Sequence, residues 1–318
     1  MKIRISFIFA CVVLFIVMGA YSCSIKKMAM NQVANAMSAP GGDDVFTGDN
    51  DPELVGDAMP FLIKMLESLL ASIPNHQGLQ LKTGSLYVMY AAAFLNGPAE
   101  MHKEETDEEY EKKEFLMQRA KNLYLRGRDI LLNALDKKHP GFLKKIKGKR
   151  FKDAVKPMGQ DDIDFLYWAG LGWLGAFGLD LSDMDLAITW PRAKALMDKV
   201  LEMDENYGNG AIHNFYIRYY GSRPKNMGGN IKLAREHFQK ALDISGVKSS
   251  SPYLSLATTV AVKERNPGEF KKLLDHVLAI APEADKEGRL MNTLNRRKSR
   301  WLLSHLEDFF LLEEGDIK

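Results

Sequence analysis

From Pro52 onward, apolar residues recur at intervals of three and four, polar residues fill the positions between, and no stretch sustains the two-residue alternation of a half-buried strand. The pattern predicts an all-α chain. The first firm helix start is Asp49-Asn50-Asp51-Pro52-Glu53, with an Asp or Asn cap, Pro in the first turn and Glu close behind. As a calcium loop the same cluster fails: counted from Asp49, the positions that need Gly and Glu are Leu54 and Pro60.

The helices repeat. Small or apolar residues in the spacing of the second helix of a tetratricopeptide repeat, closed by a helix stop, occur at Leu62, Leu66, Leu69 and Pro74, and at Gly127, Leu131, Ala134 and His139. They recur at Ala193, Met197, Val200 and Glu205, at Ala234, Phe238, Ala241 and Gly246, and at Phe270, Leu274, Val277 and Pro282. The intervals approximate one or two repeats of about 34 residues. Partner helices are predicted over Gly78 to Leu95, Asp161 to Phe177, Tyr207 to Tyr220 and Ser251 to Glu264, with a capping helix from about Lys286 to Leu312. The expected fold is a tetratricopeptide-like array of stacked antiparallel helix pairs around one continuous core, a single domain spanning 49–318.

The N-terminus is a separate chemical unit. Lys2 and Arg4 precede an apolar run from Ile5 to Met18, then Gly19-Ala20-Tyr21-Ser22 leads into Cys23. This is the layout of a secretory signal peptide, residues 1–22, and the Cys placed directly after it resembles a bacterial lipobox. Cys23 is therefore the expected lipidation site, and 23–48, rich in Ser, Ala, Asn and Gly, reads as a flexible lipidated tether. Export would leave Cys23 as the last cysteine, so no internal disulfide is expected in an oxidising compartment. The membrane would be reached through acyl chains and not crossed.

With 46% hydrophobic and 26% charged residues, the composition is that of a globular protein. A net charge of +2, which vanishes when the leader is removed, gives no argument for nucleic acid. Gly170-Leu171-Gly172-Trp173-Leu174-Gly175 spells a dinucleotide fingerprint, yet Asp161-Asp162-Ile163-Asp164 ahead of it starts a helix where a strand is required. These glycines are read instead as sites of close helix approach. The seven histidines contain no i, i+4 pair, so no metal is expected; no cofactor loop or activated nucleophile is present either, and no catalytic residue or enzyme activity is assigned. The stretches 103–113 and 144–150 are opposite in sign; the basic one, Lys144 to Arg150, is a solvated edge or a surface for lipid headgroups or an acidic partner.

The inner helices carry the aromatics. Tyr87 and Tyr90 share a helix face, as do Tyr216 and Tyr219; Tyr167, Trp168 and Trp173 crowd the glycine-rich helix, and His213 and Asn214 open another. These residues are the expected partner- or ligand-binding set, because Tyr and Trp anchor concave repeat surfaces, with core filling as the competing role.

Several segments together resemble a known family. They are Gly48-Asp49-Asn50-Asp51-Pro52-Glu53-Leu54-Val55-Gly56-Asp57-Ala58, Thr83-Gly84-Ser85-Leu86-Tyr87-Val88-Met89-Tyr90-Ala91, Asp164-Phe165-Leu166-Tyr167-Trp168, and Met227-Gly228-Gly229 ahead of Ala234-Arg235-Glu236-His237-Phe238. The combination is similar to the TatT lipoproteins, T-components of tripartite ATP-independent periplasmic (TRAP) transporters. The resemblance implies a periplasmic helical lipoprotein that pairs with a solute-binding P-component and takes an apolar small molecule; self-association is left open. Two rivals remain from the sequence: a helical-repeat lipoprotein for outer-membrane assembly or glycan capture, and a periplasmic hydrolase whose catalytic groups converge only in the fold.

Overall fold

The computed structural model describes residues 27–39, 44–103 and 105–311, and the signal peptide and Cys23 lie outside them. Among the described residues there is no strand. The helices that build the array are α1 (27–38), α2 (Pro52–Ser72), α3 (Gln77–Tyr90), α4 (Asp107–Lys138), α5 (Ile163–Leu179), α6 (Met184–Met203), α7 (Tyr207–Ser222), α8 (Ile231–Ser245), α9 (Ser251–Leu256), α10 (Pro267–Ala279) and α11 (Arg289–Leu303), and short helical turns at Asp44–Thr47, Gly97–Ala99, Phe142–Lys147 and Lys152–Val155 lie between them. Both α3 and α9 run on into π-helical turns, Ala91–Asn96 and Ala257–Ala261. Successive helices pack on one another as neighbours, across short turns or, between α4 and α5, across the longer segment 139–162, so the chain is a helical-repeat array.

Local chemistry sets the boundaries. Asp51 accepts a hydrogen bond from Leu54 N at 3.0 Å and Pro52 opens α2. Thr106 and Glu109 form a reciprocal capping box on α4, whose last turn holds Lys137 and Lys138 against the negative end of the helix dipole. The repeat marks fall on α2, α4, α6, α8 and α10, and the odd-numbered helices are their partners. Ala193, Met197, Val200, Ala234, Ala241, Phe270, Leu274 and Val277 are completely buried. Phe238 is only partly buried, edge-on to Tyr253 at 5.3 Å.

Close helix approach comes from glycine. A Cβ at Gly127 of α4 would lie 2.6 Å from Gly84 O of α3, and one at Gly84 would lie 2.5 Å from Leu131 Cγ. On α5, a Cβ at Gly170 would meet Met197 Sδ at 2.5 Å, one at Gly172 would meet Tyr124 O at 2.9 Å, and one at Gly175 the Tyr124 ring at 2.8 Å. The Gly-x-Gly-x-x-Gly spelling is thus the packing seam of a helix with α4 and α6.

Three features differ from the sequence reading. Residues 27–38, expected as tether, form α1: Met30, Ala34 and Met37 share a helix face, and Ala34 is fully buried against the core. Second, the core divides into two clusters that meet on α7, where Tyr216 and Tyr219 face the first and Ile217 faces the second. Third, the capping helix is shorter than expected, because the chain turns back after Leu303 so that Phe309 and Phe310 pack on Phe270. In α11, Asn292 and Asn295 bind the buried Ser250 hydroxyl at 2.5 and 2.9 Å, tying it to α9. α11 also touches Asp44–Thr47 and α2, so the array curls until its last helix rests on the start of its first repeat.

Candidate functional site

Most of the rings expected to face a partner fill the interior. Tyr87, Tyr90, Tyr167, Trp173, Tyr216 and Tyr219 are each at most 8% exposed, His213 is fully buried, and Trp168 and Asn214 are half-buried. The cause is tertiary: each inner helix is flanked by even-numbered helices drawn close by the glycine seams, so ring faces that a bare helix would present are covered. Trp173 Nε1 donates to Thr189 Oγ1 at 3.1 Å beneath the Arg128 guanidinium, and the Tyr216 hydroxyl donates to Asp198 Oδ1 at 2.6 Å. Tyr167 packs edge-on to Trp168 and against Tyr207. His213 and His237 meet through their Nδ1 atoms at 2.8 Å, which requires one ring to donate and the other to accept.

Three arrangements reach solvent. The first is an open cleft of about 570 Å³ between α2 and α4, with apolar walls from Leu70, Leu125 and Ile130. Glu67 crosses it to Arg126 at 2.5 Å, and the Tyr87 hydroxyl bonds Glu67 from below. Burial raises the pKa of Tyr87 and the Glu67 carboxylate raises it further, so the phenol stays a donor. α2 and α4 are both antiparallel to α3 and therefore run parallel to each other. Large apolar side chains are exposed on the same two helices: Phe61 and Phe115, 74% and 64% exposed, and Met65 one turn after Phe61. None of these three lines the cleft: Phe115 shares the α4 face that walls it, whereas Phe61 and Met65 lie on the outer face of α2, turned from its Glu67, Leu70 and Ala71 wall.

The second is an aromatic stack along α6, α7 and α8. The Arg223 guanidinium lies 4.2 Å from the Trp190 ring centre and 4.4 Å from that of Tyr219, and Tyr219 leads on through Phe215, Tyr216 and Tyr220 to His237. Burial lowers the pKa of Arg223, and its Nη1 has no acceptor among the described residues.

The third is a charged knot where the array closes. Lys298 of α11 binds Glu100, which also accepts from Asn96 Nδ2 at 2.9 Å in the π-turn after α3; nearby, Arg297 binds Glu53 at 2.6 Å. Burial would raise the Glu100 pKa, but Lys298 and Arg218 outweigh it and hold the carboxyl below its ordinary range.

Sequence reasoning singled out none of Phe61, Phe115, Trp190, Arg223 or Glu100. The aromatic spacing of Phe215 with Tyr219 and Tyr216 with Tyr220 is visible on one helix, but Glu100 and Lys298 are 198 residues apart. Among the described residues no group of three or more His, Cys, Asp or Glu is placed to hold a metal, and no helix is long and apolar enough to cross a membrane.

Comparison with known proteins places this architecture. The chain is 29% identical over 304 residues, covering 91% of it and 93% of the relative, to an uncharacterized protein of Treponema pallidum (strain Nichols). The profile of the TRAP transporter T-component family matches residues 48–310, from the cap of α2 to the turn that follows α11. The chain belongs to the TRAP transporter T-component family.

Proposed function

We propose that this protein is the periplasmic, lipid-anchored component of a TRAP system, held to a membrane through acylated Cys23, and that it docks a solute-binding P-component on the exposed apolar side chains of α2 and α4. The observation that carries the reading is the family match across residues 48–310. The dock is supported by its chemistry: Phe61, Met65 and Phe115 are large, apolar and exposed on two helices that both pack on α3, which is the make-up of an interface anchor. The accessible edges of Trp190, Phe215 and Tyr220 offer an apolar small molecule a second contact, and the same reading assigns transport and no catalysis.

The test is a titration with the solute-binding protein of the same transport system. The Phe61→Ala/Phe115→Ala variant should keep its stability within about 0.5 kcal/mol, as exposed positions do. Its complex should weaken about thirtyfold, corresponding to loss of a hot spot of about 2 kcal/mol. Unchanged affinity would remove these side chains as the dock, and no binding by the wild-type chain would remove the P-component as partner.

A further inference from the structure

The α4–α5 connection is the most strongly charged surface of the molecule. Residues 142–156 carry Lys144, Lys145, Lys147, Lys149, Arg150, Lys152 and Lys156, all exposed, against a single acid, Asp153. Asp153 is taken up by Arg150 at 2.6 Å and Lys156 at 2.7 Å. Among the described residues Lys144, Lys145, Lys147, Lys149 and Lys152 make no ion pair. The segment is held in place from beneath: Phe142, Ile146, Ala154 and Val155 are buried, and Leu143 N donates to Asp136 Oδ1 at 2.8 Å. The result is a firm basic platform.

This platform lies at the end of the bundle where the chain enters it. Lys137, in the last turn of α4 just before the platform, donates to Pro74 O in the α2–α3 turn at 2.5 Å. His76 of that turn bonds Asn35 of α1 at 2.9 Å. α1 turns Lys27, Met28 and Val33 to solvent, with Met28 61% exposed. Four residue steps separate Lys27 from Cys23, a reach of at most about 14 Å. An acylated Cys23 would therefore hold this end of the molecule close to the headgroups, because the chain packs on the domain from residue 27 and not from 49.

We propose that the basic platform of residues 142–156, together with the exposed face of α1, rests on the anionic phospholipid headgroups of the leaflet that carries the anchor. The inference rests on the lipid-anchor reading and goes beyond it by fixing which end of the array faces the bilayer. Clustered lysines beside a lipid anchor add an electrostatic attraction to the hydrophobic one, which acts within a Debye length of about 8 Å at physiological ionic strength.

The experiment uses the full acylated chain in phosphatidylcholine vesicles with and without phosphatidylglycerol, and reads amine labelling of each lysine by mass spectrometry. Lys145 and Lys152 should label about tenfold more slowly in the anionic vesicles at low salt, and the protection should fade towards 1 M salt. Lys232, on α8, should label equally in both. In Lys144→Glu/Lys147→Glu/Lys149→Glu, whose altered side chains are all exposed and whose fold is checked by circular dichroism, the protection should be lost. Equal labelling in the two vesicle types would overturn the proposal. So would protection that arises only when the solute-binding protein is added, which would make the platform a protein dock. If the N-terminal mass shows no acyl chains, the anchor reading fails by itself. The same chain is then floated with both vesicles: salt-sensitive flotation with the anionic ones alone supports the platform, and none overturns it.

Discussion

His213 and His237 turn a pair of ring nitrogens into a pH-dependent element of stability. Burial lowers the pKa of both, and for His237 the neighbouring His213 and Lys240 lower it further, to about 4; Glu205 opposes the shift at His213. In the unfolded chain both rings take up a proton as pH falls through about 6.5, whereas in the fold His237 resists until about 4. The unfolded state thus binds more protons in this window, so stability is complete above pH 6.5 and falls progressively towards pH 4. Thermal melts across that range should show the decline, and His237→Gln should flatten it; an equal slope in the variant would exclude the pair as its source. Trp173 makes a second case. It is 5% exposed and bonded to Thr189, so Trp173→Ala should cost about 3 to 5 kcal/mol in chemical denaturation, as deletion of a core aromatic does. A loss below 1 kcal/mol would mean that the ring faces a surface.

At the scale of the element, the seams between helices are as informative as the helices. Gly127 lies against the Gly84 backbone with no room for a methyl group, so Gly127→Ala should separate α3 from α4 and destabilise by about 1 to 3 kcal/mol while the far-ultraviolet spectrum stays helical. The even-numbered helices were legible from the sequence because their signal is local: a cap, an apolar face, a stop. The helix-breaking Pro74 and the Asp51 cap act within one turn of their own position, and both fall where the pattern predicts. Side-chain direction was less legible. Tyr87 with Tyr90 and Tyr216 with Tyr219 share faces as their spacing requires, but whether a face meets solvent or another helix depends on residues of a different element: Gly127 of α4 over Tyr87, and Lys194, Asp198 and His237 over Tyr216 and Tyr219. α1 was missed for a related reason. Its buried face consists of Met30, Ala34 and Met37, with Asn, Gln and Ser between them and Pro40, Gly41 and Gly42 just after, a composition that alone reads as linker.

At the scale of the whole molecule, the return of α11 to α2 changes what kind of repeat protein this is. In an open array each repeat contacts only its neighbours, and the free ends fray first. Here α11 is tied to α2 through the Arg297–Glu53 pair and to the segment after α3 through Lys298–Glu100. Hydrogen exchange should accordingly find α2 and α11 protected together, and Arg297→Glu, which sets two acids against each other at Glu53, should release both; faster exchange in α11 alone would mean that the contact carries no coupling. Closure has a further consequence for the number of helices. An open array tolerates the gain or loss of a pair, since each new unit simply extends the stack. In this chain a duplicated pair between α8 and α9 would swing α11 away from α2, and a deleted pair would drive the two into collision. The curl thereby fixes the repeat count, and length variation is left to the turns and the two termini.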